Sequence, residues 1–483
     1  MSKKVRNKAT YTETDGDHGP NVSIRPTKSF FVNMFTRDIE LADAILDLLD
    51  NCVDGILRSS PEEKLETAKP YSGKKAEIVL SEDNFIISDN CGGIPWAKRK
   101  YAFQIGTLPN QEKEKLPTVG TYGIGMKRAI FKLGREAQVS SQREDKSFEV
   151  MISPDWMKDE STWDVPIETV PFRGDESGTV IRVKKLNSES RERFGDKSFL
   201  FELRERIATH YAFILDKGFS VSVNDELIKP KPTRLRFEES FEKSKTLIRP
   251  FIYQDTIGGV QVFLAVGFTA PISDEDDIRA YAEGDSYSTL KAGWTVVCND
   301  RAVVYCDRTE LTGWGEAGVP KYHTQFIAIS GIVEFWSDDA SLLPTTTTKR
   351  GIDASSLLYL RVKNKMREGL KLFTDFTNKW KSKEISQVAK NRINIAESLS
   401  MSVLQGRVKA RTIELRKIAG GGSQLKPKLP VPDSLRTTTK RISFNLENED
   451  IQLVSRFLFG DDGIDPSEVV EKCFDIQRDK ARQ

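Results

Sequence analysis

Histidine is scarce in this chain: three in 483 residues, at His18, His210 and His323. That count argues against a histidine-rich metal site and against a histidine phosphoacceptor domain. The five cysteines, Cys52, Cys91, Cys298, Cys306 and Cys473, form no C-x-x-C pair, so neither a disulfide framework nor a zinc site is supported. No apolar run is long enough to span a bilayer. Charge of one sign is missing too. Lysine and arginine number 73 against 71 acidic residues, so only a local patch would favour nucleic acid or a membrane surface. The opening "MSKKVRNKATYTETDGDHGP" lacks the apolar core of a signal peptide. A reducing, cytoplasmic setting with no membrane is the expectation.

The length predicts two or three domains, each able to bury a core. Residues 1–28 are polar. In 38–58, "DIELADAILDLLDNCVDGILR", Leu41, Ile45, Leu48, Leu49, Val53 and Ile56 recur at three-to-four spacing, which predicts an amphipathic helix. "KKAEIVLSEDNFIISDNCGG" predicts two short strands about a polar turn. A long polar loop then passes through glycines into a helix, and "SFEVMIS" and "GTVIRVKKL" predict further strands. The region from about 235 to 350 is strand-rich. A lysine-rich helical region follows over 355–417, then a glycine- and proline-rich linker over 418–435. No internal repeat is evident.

The chemistry-bearing residues fall in four stretches. In "DLLDNCVDG", Asp47, Asn51 and Asp54 stand at i, i+4 and i+7 and share one face of the helix. That face lines a cavity or meets solvent. "ISDNCGGIP" is a strand that delivers Asp89 into a turn with Gly92 and Gly93, where the absence of a side chain suits close approach of a flat ligand. In "GTYGIGMKRA", Gly120, Gly123 and Gly125 open a helix whose free N–H groups suit phosphates. It is not a Walker loop, since Met126 rather than lysine follows Gly125, and it lacks the third glycine of a dinucleotide fingerprint. "GTVIRV" supplies Thr179.

In this order and spacing, residues 30–190 resemble the GHKL ATPases, named for gyrase, the heat-shock chaperone, histidine kinases and MutL. "DLLDNCVDG" resembles their N box, "DNCGGIP" the D-x-G-x-G motif, "GTYGIGMK" the later glycine box and "GTVIRV" the strand that completes the adenine pocket. The segment Gly106–Thr121 resembles the ATP lid. Residues 235–380 resemble the transducer domain of gyrase, MutL and MORC proteins, with "GWTVVCNDRAVVY" as a strand pair and "PTTTTKR" as the loop carrying a lysine to the γ-phosphate. The closest layout is that of MORC-like ATPases.

The resemblance implies an α+β chain: a Bergerat-type α/β sandwich ATPase domain over 29–234, an S5-like α/β transducer over 235–354, the helical segment, and a small strand-helix-helix unit over 436–483. It implies ATP and Mg²⁺ as cofactors, with Asn51 holding the metal. Asp89 would accept from the adenine amino group beside Thr179, and Gly93 and Ile94 would admit the purine. Gly106, Thr107, Gly120, Thr121, Tyr122, Gly123, Ile124, Gly125, Met126 and Lys127 would surround the nucleotide, and Asp54 would line the pocket or orient its neighbours. Asp47 would be the general base and Lys349 would reach the γ-phosphate. Two residues depart from the pattern: Asp47 stands where glutamate is usual, one methylene shorter, and Cys91 replaces the first glycine of its motif. Slow turnover is therefore expected.

In the last stretch, "KRISFNLENEDIQLVSRFLFGDDGIDPSEVVEKCFDIQRDK", Ile442, Phe444 and Leu446 alternate with polar residues, and two apolar helix faces follow. The order resembles a ribbon-helix-helix module; a dimerising or docking unit is the alternative to a DNA reader. The output stays open between a MORC- or MutL-like clamp on DNA, working as an ATP-dependent homodimer, a chaperone-like ATPase acting on protein clients, and a nucleotide sensor signalling to a partner protein.

Overall fold

The computed structural model describes residues 26–65, 67–104, 116–120, 123–172, 176–239, 246–272, 292–346, 351–380, 383–431 and 445–482. The apolar repeat forms a helix, α2 (Leu41–Ser59), preceded by a separate helix α1 (Lys28–Arg37). Helix α2 starts with the first apolar residue of the repeat, three residues inside the stretch 38–58, because Glu40 is extended (φ −72°, ψ 152°) and takes the N-cap position. Fourteen of its nineteen residues are buried, so little of its surface is left for solvent. A polar side chain on such a helix must find a partner inside the protein.

The first sheet has eight strands: β1 (Lys75–Leu80), β2 (Asn84–Asp89), β3 (Gly134–Arg143), β4 (Lys146–Ile152), β5 (Ile167–Thr169), β6 (Gly178–Leu186), β7 (Ser220–Val223) and β8 (Glu226–Leu227). Their order is β5-β4-β3-β6-β2-β1-β7-β8. β1 pairs parallel with β7; the other pairings are antiparallel. In β1 the period of two is plain: Ala76, Ile78 and Leu80 are buried while Lys75, Glu77 and Val79 are exposed. Ile45, Leu49, Val53 and Ile56 of α2 share one core with Ile78, Phe85, Ile87, Val139 and Val183 of the sheet. Helices α3 (Gly125–Leu133) and α4 (Lys197–His210) complete that layer with Ile130, Leu133, Leu203 and Ile207.

After a short strand β9 (Arg234–Phe237) comes a second, seven-stranded sheet. Its strands are β10 (Phe251–Ile257), β11 (Val260–Phe268), β12 (Gly293–Cys298), β13 (Arg301–Asp307), β14 (Ile329–Trp336), β16 (Arg416–Lys417) and β17 (Ser423–Leu425), in the order β13-β12-β14-β11-β10-β17-β16. Helix α5 (Leu357–Trp380) packs on it through Tyr359, Val362, Met366, Leu370 and Phe373. Gly369 allows the close approach, since a Cβ there would stand 2.5 Å from Val266 Cγ1.

Two sequence expectations differ from this architecture. The stretch 355–417 is not continuously helical: α6 (Lys383–Ile395) and α7 (Met401–Lys409) are separated by β15 (Glu397–Ser400), which pairs antiparallel with β9. Leu399 is buried there with Leu235 and Phe237, so tertiary packing overrides the helical pattern. Part of the expected linker is also sheet. Gly420, Gly421 and Gly422 all take positive φ (88°, 103° and 80°), and Ser423–Leu425 then adds to β10 in the register Ile252↔Leu425. A three-residue strand depends on its neighbours' backbone and has no periodic signal of its own.

Residues 431–483 form a second compact unit. It contains α8 (Asn448–Phe459), ended by Gly460 at φ 74°, and α9 (Pro466–Arg482). Asp465 accepts the Ser467 N–H at 2.8 Å and so caps the start of α9. The strand expected around Ile442 and Phe444 lies outside the described residues, and Asn445–Glu447 are not extended into a ladder. No described helix is long and apolar enough to cross a membrane.

The first and second sheets meet at a buried polar junction. The β12–β13 turn is Asn299–Asp300, both at positive φ (46° and 66°), the geometry of a tight type I′ hairpin. Arg301 follows, and its Nε donates to Asp50 Oδ1 at 3.1 Å. The single O–H of Tyr211 is shared between the same oxygen, at 2.6 Å, and the Leu46 carbonyl, at 2.7 Å. Asp300 accepts from Tyr71 at 2.8 Å and pairs with Lys217. Asp50→Ala would leave Arg301 buried without its carboxylate, a loss of about 3–5 kcal/mol. Urea denaturation of the purified chain measures it; a loss under about 1 kcal/mol would mean the pair stabilises no more than an exposed one.

Candidate functional site

A cavity of about 1020 Å³ opens between α2, the β2 turn and the start of α3. Helix α2 contributes Leu48, Asn51, Cys52, Gly55 and Arg58. β2 and its turn contribute Ile87, Asp89, Cys91, Gly93 and Ile94, and β6 contributes Thr179 and Ile181. Lys98, Tyr101 and Ala102 form another wall, with Thr118, Gly120, Gly123, Gly125, Met126 and Lys127 beyond. The second sheet also takes part, through Gly259 and the segment Ser337–Leu342.

Asp89 is the organising acceptor of the apolar end. Its Oδ1 takes the Cys91 N–H at 2.7 Å and its Oδ2 takes the Cys52 thiol at 3.6 Å. Burial pushes its carboxyl up from 3.8 to about 6, although the bonds from Cys91, Cys52 and Thr179 oppose that shift. Thr179 lies across the ladder from Asp89, and its Oγ1 is 3.0 Å from Ser141 Oγ. Ser141 in turn accepts the Ile94 N–H at 2.8 Å, which fixes the turn. Gly93 sits at φ 65°, and a Cβ there would lie 2.1 Å from the Gln142 carbonyl oxygen, so the backbone passes too close for any other residue. Cys91 is accommodated where the family motif has glycine: it is buried, and its thiol reaches the Lys75 carbonyl at 3.7 Å.

The other end is built for anions. Gly125, Met126 and Lys127 are the first residues of α3, where backbone N–H groups have no intrahelical acceptor. Lys127 is buried and donates to the carbonyls of Ala102 (2.9 Å) and Gly123; burial pulls its ammonium down to about 8. Arg58 and Lys98 add positive charge to the wall.

The polar face of α2 divides among three tasks. Asn51 is exposed on the cavity. Asp54 is buried and accepts the N–H groups of Val119 (2.7 Å) and Gly120 (2.9 Å), so it orients its neighbours and does not itself form the cavity wall. Asp47 lies behind Gly125: its Cβ would be 3.4 Å from a Cβ at that glycine. Asp47 is 7 % exposed, its Oδ2 pairs with Arg128 at 2.7 Å, and it is not part of the wall either. Ile124 precedes α3 and stands outside the wall. Gly106, Thr107, Thr121, Tyr122 and Lys349 lie outside the described residues.

Several contributors escape a reading of the sequence. Arg58 had a signal, since it continues the Asp47–Asn51–Asp54 face four residues beyond Asp54. Ser141, Lys98 and Arg128 had none, because only the fold brings them to the site.

A mixed sheet layered with helices, with a cavity between one buried helix and two glycine turns, defines an α/β sandwich with a ligand site on its helical side. Residues 39–185 match the family model of histidine kinase-, DNA gyrase B-, and HSP90-like ATPases. This part of the chain is a GHKL-type ATPase domain. No curated protein matches the chain.

Between pH 3.8 and about 6 the folded chain holds a proton at Asp89 that the unfolded chain has released. This group's contribution to stability therefore falls as pH rises through that window. Stability of the wild type minus that of Asp89→Asn should decline over the same interval in denaturation series at fixed pH. A difference that stays level would show that Asp89 titrates at its ordinary value.

Proposed function

We propose that the cavity binds Mg-ATP and that the chain hydrolyses it slowly. The observation that carries this reading is the pairing, in one cavity, of an apolar end edged by Asp89 and Thr179 with a helix N-terminus flanked by Lys127. Asp89 accepts from a purine amino group, Gly93 gives room for the ring, and Gly123, Gly125 and Met126 offer N–H groups to phosphate oxygens. The donor set suits the metal too: Asn51 lines the cavity, and an amide oxygen is a ligand for a hard cation. Magnesium, when bound, neutralises phosphate charge. Asp47 takes the proton from the attacking water. Its burial, its pairing with Arg128 and its place behind Gly125 all argue for slow turnover.

The second sheet contributes Ser337–Leu342 to the same cavity, so bound nucleotide bears on both layers. That supports an ATP-gated machine over a passive binder. The reading preferred is a MORC- or MutL-like clamp on DNA that works as an ATP-dependent homodimer. DNA-stimulated turnover supports it; stimulation by unfolded protein client supports a chaperone-like ATPase instead.

Asp47→Asn should keep Mg-ATP affinity within about threefold and lose about 10²-fold or more in turnover, the scale of a general base. Asn51→Ala should lose Mg-ATP binding itself. Calorimetry and a phosphate-release assay separate the two; wild-type turnover in Asp47→Asn would remove Asp47 from the role of base.

The second unit gives the dimer its candidate contact. Among its described apolar residues only Val469 is buried, while Leu453, Phe457 and Phe474 are 67 %, 87 % and 64 % exposed. A unit this small buries too little to stand alone, and a second copy offers the same apolar face. Phe457→Asp in the full chain should lower the dimer fraction in analytical ultracentrifugation with a non-hydrolysable ATP analogue. An unchanged fraction would place the dimer contact elsewhere.

A further inference from the structure

The tip of the β12–β13 hairpin reaches two elements of the nucleotide site at once. Arg301 donates to Asp50, the residue immediately before Asn51 on α2. Asn299 Nδ2 donates to the Thr118 carbonyl at 3.1 Å, the residue immediately before Val119 and Gly120. Those two N–H groups are the ones that Asp54 holds. The strip Thr118–Gly120 is thus held both by α2, through Asp54, and by the second sheet, through Asn299, and Thr118 and Gly120 line the cavity.

The tip is itself rigid. Asn299 Oδ1 accepts the Ser337 N–H at 3.0 Å and its Nδ2 also donates to the Ser337 carbonyl at 3.0 Å, so the amide is clamped on its own domain. Ser337 opens the segment that forms the second-sheet part of the cavity wall. Asn299, Asp300 and Arg301 are all buried, and the Arg301 guanidinium lies 4.6 Å from the centre of the Tyr211 ring. Asp300 differs from its neighbours: its partners, Tyr71 and Lys217, neither line the cavity nor adjoin a residue that does.

We propose that Asn299 and Arg301 are positioning residues for the nucleotide site, through which the second sheet sets the place of Asn51 and of the Thr118–Gly120 wall. The proposal rests on the reading of the cavity as an ATP site. Neither residue lines the cavity. Asn299 holds Thr118 of its wall and Arg301 holds Asp50, the neighbour of Asn51, and the 181- and 251-residue separations involved, Thr118 to Asn299 and Asp50 to Arg301, make the site complete only when the two sheets are docked. Nucleotide binding and the docking of the second sheet are then linked, and each favours the other.

The test compares three variants of the full chain by calorimetric titration with Mg-ADP and by thermal melting. Asn299→Asp keeps the shape and the left-handed backbone but replaces the donor to Thr118 with a carboxylate. Arg301→Gln removes the charge that holds Asp50. Asp300→Asn disturbs the same tip away from the cavity. Asn299→Asp and Arg301→Gln should weaken Mg-ADP about tenfold or more, whereas Asp300→Asn should lower Tm and leave affinity within twofold. The proposal is overturned if Asn299→Asp and Arg301→Gln lower Tm but keep affinity within twofold. It is overturned equally if all three variants lose affinity in proportion to their loss of Tm, which is general destabilisation. A wild-type chain that binds neither Mg-ADP nor Mg-ATP is a different failure: it removes the ATP-site reading, and the positioning role with it.

Discussion

Helix α2 buries three carboxylates in a single element, and each must be matched by a partner from elsewhere. Unpaired, a buried carboxylate costs several kcal/mol, a large share of a domain's net stability. The matches come from three directions: Arg128 on α3 for Asp47, Arg301 and Tyr211 for Asp50, and the backbone of Val119 and Gly120 for Asp54. Satisfying them forces α3 against α2, docks the hairpin of the second sheet, and draws the Thr118–Gly120 strip over the helix. The cavity is the space those three requirements leave open, and Asn51 is the polar residue of that face left exposed toward it.

This explains why the ATPase domain and the second sheet fall in one compact unit while residues 431–483 form another. The polar junction involves Asp50, Tyr71, Tyr211 and Lys217 from one side and Asn299, Asp300 and Arg301 from the other. Glu334 extends it: burial pushes its carboxyl up to about 7, with Lys217 opposing and Asp300 adding to the shift. Polar contacts of this kind contribute less to net stability than an apolar interface of equal area, but they tolerate only one relative placement.

Much of the ATPase domain was legible in the sequence because its signals are local. The repeat from Leu41 to Ile56, the alternation Ala76–Ile78–Leu80 and the glycines after Asp89 each announce one element within a few residues. The shared face of Asp47, Asn51 and Asp54 was legible too. Its division into a cavity-facing amide and two inward carboxylates was not, because Arg128, Val119 and Gly120 are matched to it only by the fold. Pairings such as Asp50 with Arg301 join residues 251 apart in sequence, and short strands such as Ser423–Leu425 borrow their structure from their neighbours. The same reason hides Ser141, which supports both Thr179 and Ile94 from the next strand.

The hairpin turn at Asn299–Asp300 has a consequence for how this chain can drift under mutation. Its backbone demands φ values that asparagine, aspartate and glycine adopt with least strain, so most substitutions are removed for reasons unrelated to ligand. Of the three that remain at position 299, only asparagine can both donate to Thr118 and accept from Ser337. Glycine there would preserve the turn and sever the contact. A single tolerated change at one codon would therefore remove one tie between the two sheets while those of Asp300 and Arg301 remain.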